Sequence, residues 1–263
     1  MRLEVESISK DFAGVHALAG VSLCLEQGEI LSVIGPNGSG KTTLINCVSG
    51  VIRPSSGRVN LDERMLTGLP SHRVARVGLA RTFQNIRLFG DLTVLENVEV
   101  AASRSPRARG FLRPRRRSRE AIAMLGLDRH ADTIVRTLPY GVQRRVEIAR
   151  AVATQPFFVL LDEPAAGLNE SESDQLLEII RSLRERLGCG MLIIDHDLRL
   201  IMRVSERIHA LAEGKTLAEG TPQQVRHNPK VIEAYLGVGA VSAVAGSESA
   251  RVVSDPPSAL PER

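Results

Sequence analysis

The eight residues "GPNGSGKT", Gly35 to Thr42, limit the possible folds of this chain more than any other stretch. They follow the apolar run "ILSVI" and precede "KTTLINCVSG", which has the apolar spacing of a helix. A glycine-rich loop between a buried strand and a helix exposes backbone N–H groups that can surround phosphate groups. The segment therefore predicts a phosphate-binding loop (P-loop), with Lys41 at the β- and γ-phosphates and the Thr42 hydroxyl at Mg²⁺.

The pattern along the rest of the chain predicts an α/β fold. Residues 1–34 show strand-like alternation, residues 51–82 hold short strands and turns, and residues 93–154 are mostly helical. Beyond residue 156, "FFVLL", "MLII" and "RIHALAEG" alternate with helical segments, which indicates a mostly parallel sheet. From Gly237 onward no period is sustained, so we expect a disordered tail over residues 237–263.

A carboxylate pair ends the apolar segment "FFVLLDEP". Asp162 is placed for a water-mediated contact with Mg²⁺, and Glu163 is the better candidate for polarising a water molecule. A general base contributes about 10²–10⁴-fold to a rate. The alternative is a solvated acidic pair at a strand end, which the P-loop upstream makes the weaker interpretation.

Two further polar residues are candidates for a functional role only because of the segments that surround them. His196 follows the apolar segment "MLII", and the C-terminal ends of parallel strands meet at the ligand. A single histidine there is more often structural, and Gln84 in "RTFQNIRLF" alone would indicate a solvated loop residue.

The stretch "TLPYGVQRRVEIARA" allows two interpretations. Its valines and alanines recur with helical spacing, which is typical of an ordinary buried helix. Tyr140 and Gly141 stand at its start, where unpaired N–H groups could instead bind a phosphate of another molecule.

Composition excludes several classes of protein. With 43% hydrophobic and 24% charged residues, the 263-residue chain has a globular composition. Three widely spaced cysteines predict a reducing compartment without disulfides or zinc. We expect neither a signal peptide nor a spanning helix, so a membrane role would depend on a partner. Eight arginines between residues 104 and 119 indicate a solvated loop or a contact with anionic lipid.

Together these motifs resemble the ATP-binding cassette (ABC) ATPases over residues 1–236. The resemblance implies a P-loop α/β core with a mixed or parallel sheet, an N-terminal antiparallel β subdomain, and a helical subdomain inserted at about residues 86–156. It makes Glu163 the catalytic glutamate, His196 the switch histidine at the γ-phosphate, and Gln84 the glutamine that bridges Mg²⁺ and the helical subdomain. "LPYGVQ" stands at the position of the signature motif, and "AAGLN" at that of the D-loop.

The same resemblance assigns the contacts with ATP and Mg²⁺. Thr42, Gln84 and Asp162 would contact the metal. The nucleotide would be bound by Phe12, stacked on adenine, by Gly35, Pro36, Asn37, Gly38, Ser39, Gly40, Lys41, Thr42 and Thr43, and by Tyr140 and Gly141.

Longer stretches, including "GLARTFQNIRLFGDLTVLENV" and "NPKVIEAYLG", are similar to the ATPase subunit of branched-chain amino acid importers. This similarity implies permease subunits, a second ATPase subunit that is a copy or a paralogue, and indirectly a solute-binding protein. It also implies peripheral attachment at the cytoplasmic face of the plasma membrane, and no nucleic acid. Relatives in this subgroup carry urea or short amides.

Two alternatives remain open at this point: the ATPase of a lipid or lipopolysaccharide exporter, and a soluble ABC ATPase acting on nucleic acid. The single P-loop and the scarcity of aromatic residues in the arginine run disfavour the second.

Overall fold

The computed structural model describes residues 1–104, 114–195 and 197–236. Within these ranges the chain forms two β-sheets and nine α-helices. The first sheet contains β1 (Arg2–Phe12), β2 (Val15–Glu26), β4 (Ser56–Leu61) and β5 (Arg64–Met65). Its spatial order is β2-β1-β4-β5, and all three pairings are antiparallel.

The second sheet has six strands and positions the candidate site. It contains β3 (Ile30–Ile34), β6 (Leu79–Arg81), β7 (Phe158–Asp162), β8 (Gly190–Ile194), β9 (Arg207–Ala212) and β10 (Lys215–Gly220). In the spatial order β10-β9-β3-β8-β7-β6, every pairing is parallel except that of the edge strand β10 with β9. Every residue of β3, β7 and β8 is buried, as expected for central parallel strands covered on both faces.

The helices are α1 (Lys41–Val48), α2 (Ser71–Arg76), α3 (Val94–Ala102), α4 (Pro114–Met124), α5 (Tyr140–Ala153), α6 (Glu170–Leu187), α7 (Leu198–Val204), α8 (Pro222–Arg226) and α9 (Pro229–Leu236). Helices α3, α4 and α5 pack against one another as the inserted helical layer. Over the part of the chain that the structure describes, no helix combines the length and apolar content that crossing a membrane requires.

Two apolar cores lie on the two faces of the six-stranded sheet. Leu31 and Val33 face the core that includes β1, β2, β4 and α1, while Ile30 and Ile34 face the core built with the helical layer. Successive side chains of a strand point to opposite faces, so one short apolar run contributes to both cores. The predicted α/β fold with an antiparallel β subdomain and a helical insertion is confirmed.

The arginine run differs from the predicted solvated loop. Helix α4 begins at Pro114, so residues 114–119 of the run are helical. Arg117 is buried, and its guanidinium donates a hydrogen bond to the carbonyl oxygen of Ala102 at 2.9 Å, at the end of α3. The last carbonyl groups of a helix need such donors, which explains why a cation is buried here.

Other expectations fall outside what the structure tests. Residues 105–113, the predicted disordered tail 237–263 and His196 lie outside the described residues. The limits of the domain at residues 1–236 and of its helical part at about 86–156 stay predictions.

A buried histidine lies near the β10 edge of the six-stranded sheet. The Nδ1 atom of His209 lies 3.1 Å from Oε2 of Glu219, and its Nε2 lies 3.0 Å from the Thr216 hydroxyl. Burial lowers the pKa of His209 below its ordinary value of 6.5, the Glu219 carboxylate opposes this shift, and nearby Arg207 adds to it.

The depressed pKa of His209 predicts a pH-dependent stability. The unfolded chain binds this proton more readily, so the free energy of unfolding should fall as pH drops below about 6.5. One proton contributes at most about 1.4 kcal/mol per pH unit. His209→Gln should reduce the slope measured by urea unfolding between pH 7.5 and 5.5, whereas His72→Gln, at an exposed position, should keep it. Equal slopes in wild type and His209→Gln would contradict the prediction.

Candidate active site

The P-loop connects the end of β3 to the start of α1. Gly40 has φ +100° immediately before the helix, a conformation that glycine adopts without strain. At Gly35 a Cβ atom would collide with the carbonyl oxygen of Leu211 and with Oγ of Ser39. A residue with a side chain would therefore not fit at Gly35, because other parts of the protein pass too close to its backbone.

Lys41 folds back onto this loop. Its ammonium donates hydrogen bonds to the carbonyl oxygens of Gly35 at 2.7 Å and Pro36 at 2.9 Å. Burial lowers the pKa of Lys41, and the Glu163 carboxylate opposes the shift. Nearby, the buried Ser39 hydroxyl has no hydrogen-bond partner. A cation, an unsatisfied hydroxyl and a glycine-rich backbone together fit a phosphate group.

Asp162, at the end of β7, forms a buried ion pair with Arg81 at the end of β6. Nη2 of Arg81 donates to Oδ2 of Asp162 at 2.9 Å, and the two side chains are 7% and 3% exposed. Nη1 of Arg81 donates to Oδ1 of Asn46 and to Oγ of Ser49, both at 2.7 Å. The backbone N–H of Asp162 donates to the Thr82 hydroxyl at 3.3 Å.

The three residues predicted to contact Mg²⁺ line one cavity. Thr42, Gln84 and Asp162 border a space of about 660 Å³ together with Asn46 and Arg81. Hydroxyl, amide and carboxylate oxygens are the ligands that Mg²⁺ prefers. No cluster of three or more His, Cys, Asp or Glu residues able to hold a metal occurs in the described ranges. The donor set fits Mg²⁺, which often keeps waters and substrate phosphates among its ligands.

Glu163 is held in a strained conformation beside Gln84. Its φ of +47° is unusual for a residue with a side chain and costs about 1–3 kcal/mol. Its backbone N–H donates to the Ile194 carbonyl at 2.7 Å, on the neighbouring strand β8. Nε2 of Gln84 donates to Oε2 of Glu163 at 3.1 Å. The structure thus brings together two of the three residues predicted to be catalytic.

The third, His196, lies outside the described residues, whereas its neighbour Asp195 is described. Asp195 is fully buried at the end of β8. Its Oδ2 accepts a hydrogen bond from the Ala165 N–H at 3.3 Å, and its Oδ1 accepts one from the Asp197 N–H at 3.0 Å. The role of the histidine stays a prediction.

Phe12 lies at the hairpin that joins β1 to β2. Its side chain is exposed, and the Lys10 ammonium lies over the ring, 5.0 Å from its centre. An exposed aromatic ring is available for stacking on a base, so the predicted contact with adenine stays a prediction.

Tyr140 and Gly141, at the start of α5, lie apart from this cavity. A Cβ atom on Gly141 would come within 2.8 Å of Oε1 of Glu172, and one on Gly167 within 3.0 Å of the Tyr140 ring. Gly141 borders a different cavity, beside Leu168 and Glu172.

Farther along α5, Val146, Ala149 and Ala153 are buried, which confirms the packing interpretation. The phosphate interpretation stays a prediction and requires a second molecule.

A buried ion pair on α5 links this helix to the segment that contains Gln84. The fully buried Arg144 guanidinium donates to the carbonyl oxygens of Phe83 and Gln84, both at 2.8 Å, and to the Tyr140 hydroxyl at 2.9 Å. It also donates to Oε2 of Glu147 at 2.9 Å. Burial raises the pKa of Glu147, while the Phe83 N–H and the Arg144 cation oppose the shift.

Sequence reasoning missed these buried charges. Arg81 ends the apolar strand β6 and Asp195 directly follows the apolar strand β8, whereas Arg144 and Glu147 lie among other charged residues of α5. A charge at the end of an apolar strand is a signal for Arg81 and Asp195, because buried charges require partners, but nothing in the α5 sequence separates Arg144 and Glu147 from their less buried neighbours.

A loop shaped for phosphate, an acidic strand end and a glutamine bonded to its glutamate define a P-loop nucleoside triphosphatase. A family model described as "ABC transporter" matches residues 18–166, and one described as "Branched-chain amino acid ATP-binding cassette transporter" matches residues 215–241. The chain belongs to the ABC transporter family and is an ABC-type ATPase. The predicted family is therefore confirmed.

Three relatives show how far the similarity extends. The chain is 45% identical to the high-affinity branched-chain amino acid transport ATP-binding protein LivG of Salmonella typhimurium. The matched region of 248 residues covers 89% of this chain and 97% of that protein. It is 44% identical to BraF of Pseudomonas aeruginosa, which carries the same description, with the same coverage. A crystal structure of the ADP conformation of an ABC transporter cassette matches with a TM-score of 0.82 and 29% identity, over 90% of this chain and 99% of that one. These matches favour the importer class over both alternatives.

Proposed function

We propose that the chain is the ATP-hydrolysing subunit of an importer for branched-chain amino acids. It works at the cytoplasmic face of the plasma membrane with permease subunits, a second ATPase subunit and, indirectly, a solute-binding protein. The observation that carries this proposal is the 45% identity to a transport ATP-binding protein over 97% of its length.

In this proposal each group of the site has a separate task. The P-loop backbone and Lys41 bind the β- and γ-phosphates, while Thr42, Gln84 and Asp162 hold Mg²⁺. When bound, Mg²⁺ neutralises charge on the phosphate oxygens. Glu163 accepts a proton from the attacking water, and the amide of Gln84 orients the Glu163 carboxylate.

The segment that follows Gln84 is the proposed docking surface for the permease. Phe89 is 47% exposed, with the Arg150 guanidinium 5.0 Å from the centre of its ring. Ile86 is half-buried, and Leu88 is partly buried against the core. Of these three side chains, Phe89 is the one exposed enough to make an apolar contact with a permease. A charge at Leu88 would instead disturb packing against the core.

Phe89→Asp is expected to abolish stimulation of ATP hydrolysis by the permease while leaving the basal rate unchanged. A charge at this position would have to be desolvated in the interface without a partner. ATPase activity with and without reconstituted permease measures the effect. Met65→Asp, at another exposed apolar residue on β5, is the matched control and should retain stimulation. If the permease stimulates ATP hydrolysis by the Phe89→Asp variant as strongly as by the wild type, this segment is not the docking surface.

The function itself is tested by isolating the chain with its membrane partners. The complex is reconstituted in proteoliposomes, and ATP hydrolysis and uptake are measured with a solute-binding protein loaded with leucine or urea. Leucine-dependent hydrolysis and uptake would support the proposal. A complex that responds to urea alone, or to lipopolysaccharide without a binding protein, would overturn the proposed cargo or direction.

A further inference from the structure

The buried guanidinium of Arg81 joins two elements that form opposite sides of the candidate metal site. One of its terminal nitrogens binds the Asp162 carboxylate on β7, and the other binds Asn46 on α1 and Ser49 at the C-cap of that helix. The donor–acceptor distance is 2.9 Å to Asp162 and 2.7 Å to both Asn46 and Ser49. Arg81 therefore fixes the end of β7 relative to α1.

The point of attachment on α1 lies close to Thr42. Asn46 follows Thr42 by four residues, so the two side chains are neighbours on one face of the helix. Both line the cavity of about 660 Å³ that Asp162 also borders. A shift of α1 relative to β7 would consequently change the separation between the Thr42 hydroxyl and the Asp162 carboxylate.

We propose that Arg81 is a positioning residue that sets the separation of Thr42 and Asp162 and thereby the affinity of the site for Mg²⁺. This inference rests on the proposed function, which requires that metal. The planar guanidinium presents donors in a rigid fork, so it can hold a carboxylate and a helix at fixed positions simultaneously. A lysine ammonium retains the charge without this fork.

A simple role as counter-ion predicts the opposite result. If Arg81 only neutralised Asp162, its removal would leave more negative charge in the cavity, and a divalent cation would bind more tightly. If Arg81 positions the site, its loss weakens metal binding, because the loss of residues that orient metal ligands costs about 10–100-fold in affinity. The sign of the change therefore separates the two roles.

Three variants of the full chain test the proposal. Arg81→Met removes the charge and the fork, Arg81→Lys keeps only the charge, and the double variant Asn46→Ala/Ser49→Ala keeps the buried ion pair but removes the attachment to α1. Arg53→Met, at an exposed position, is the control. The probe is Mn²⁺ in place of Mg²⁺, with its affinity measured by electron paramagnetic resonance in the presence of ADP. Nucleotide binding in EDTA serves as the reference.

We expect Mn²⁺ binding to weaken about tenfold or more in both Arg81 variants and to weaken in the double variant, with ADP binding in EDTA unchanged. Tighter Mn²⁺ binding in Arg81→Met, or wild-type affinity in Arg81→Lys, would overturn the proposal. If an Arg81 variant fails to bind ADP in EDTA, the double variant alone tests the proposal: weaker Mn²⁺ binding supports it, and wild-type Mn²⁺ affinity contradicts it. Wild-type protein that binds no Mn²⁺–ADP would contradict the proposed function, whereas wild-type affinity in every variant would contradict this inference alone.

Discussion

Replacing Glu163 with glutamine is expected to lower ATP turnover at the site that contains this residue about 10²–10⁴-fold and to leave ATP binding intact. An amide has nearly the shape of the carboxylate but cannot accept a proton from water. The P-loop and Lys41 are unchanged in this variant, so the contacts proposed for the phosphates remain. The backbone N–H of residue 163 can still donate to the Ile194 carbonyl, which supports the strained conformation at this position.

The same variant should accumulate as an ATP-bound dimer. The P-loop and the carboxylate pair lie on one side of the proposed phosphate position, and the start of α5 in a second molecule would complete the other side. Sedimentation in saturating ATP and Mg²⁺ measures this state, alongside turnover. Glu178→Gln, an identical change at an exposed position of α6, is the control and should hydrolyse ATP at the wild-type rate. A monomeric Glu163→Gln protein under these conditions would argue strongly against the dimer.

The parts of the site that lie within one local pattern could be predicted from the sequence. The P-loop follows a buried strand, and Asp162 with Glu163 ends another, so composition and spacing alone locate them. The chemistry of phosphate binding requires backbone geometry that is specified within about ten residues. Local patterns of this kind remain readable without knowledge of the tertiary fold.

Contacts between distant segments could not be predicted in the same way. Gln84 and Glu163 are 79 residues apart, and their hydrogen bond depends on β6 lying beside β7 in the sheet. The ion pair of Arg81 with Asp162 depends on the same neighbourhood. The order of strands in a sheet depends on the whole fold. The sequence near Arg81 can therefore indicate that a buried charge needs a partner, but it cannot identify Asp162 as that partner.

Short elements and exceptional cations account for the remaining differences. The sequence does not predict the six-residue helix α2, because so short a segment shows no clear helical period. The charge of the arginine run favours a solvated loop or a contact with anionic lipid, whereas residues 114–119 are helical. Arg117 is nevertheless buried, because its guanidinium satisfies a carbonyl at the end of α3. In that case hydrogen bonding at a helix end prevails over the general preference of arginine for solvent.

Pro139→Ser is expected to raise ATP hydrolysis at one of the two sites of an asymmetric heterodimer with a sister ATPase. Pro139 occupies the N-cap of α5 and makes no side-chain capping hydrogen bond, while Val142 packs against the core. In the general signature motif L-S-G-G-Q these positions hold serine and glutamine. Proline supplies neither a hydroxyl nor an N–H donor, so the site that this motif completes should be the slower one.

The size of the expected increase in rate follows from the effect of a single hydrogen-bond donor directed at the γ-phosphate. Losing such a donor elsewhere costs about 10²–10³ in rate, so restoring one should raise turnover by about tenfold or more. The heterodimer carrying Glu163→Gln isolates the relevant site, because only the sister's P-loop paired with "LPYGV" then turns over. Pro139→Ala restores the backbone N–H but adds no hydroxyl, so the excess rate of the serine variant over the alanine variant measures the contribution of the hydroxyl donor. A Pro139→Ser heterodimer that hydrolyses ATP at the unsubstituted rate, or a fully active homodimer of this chain alone, would contradict the proposed inequality of the two sites.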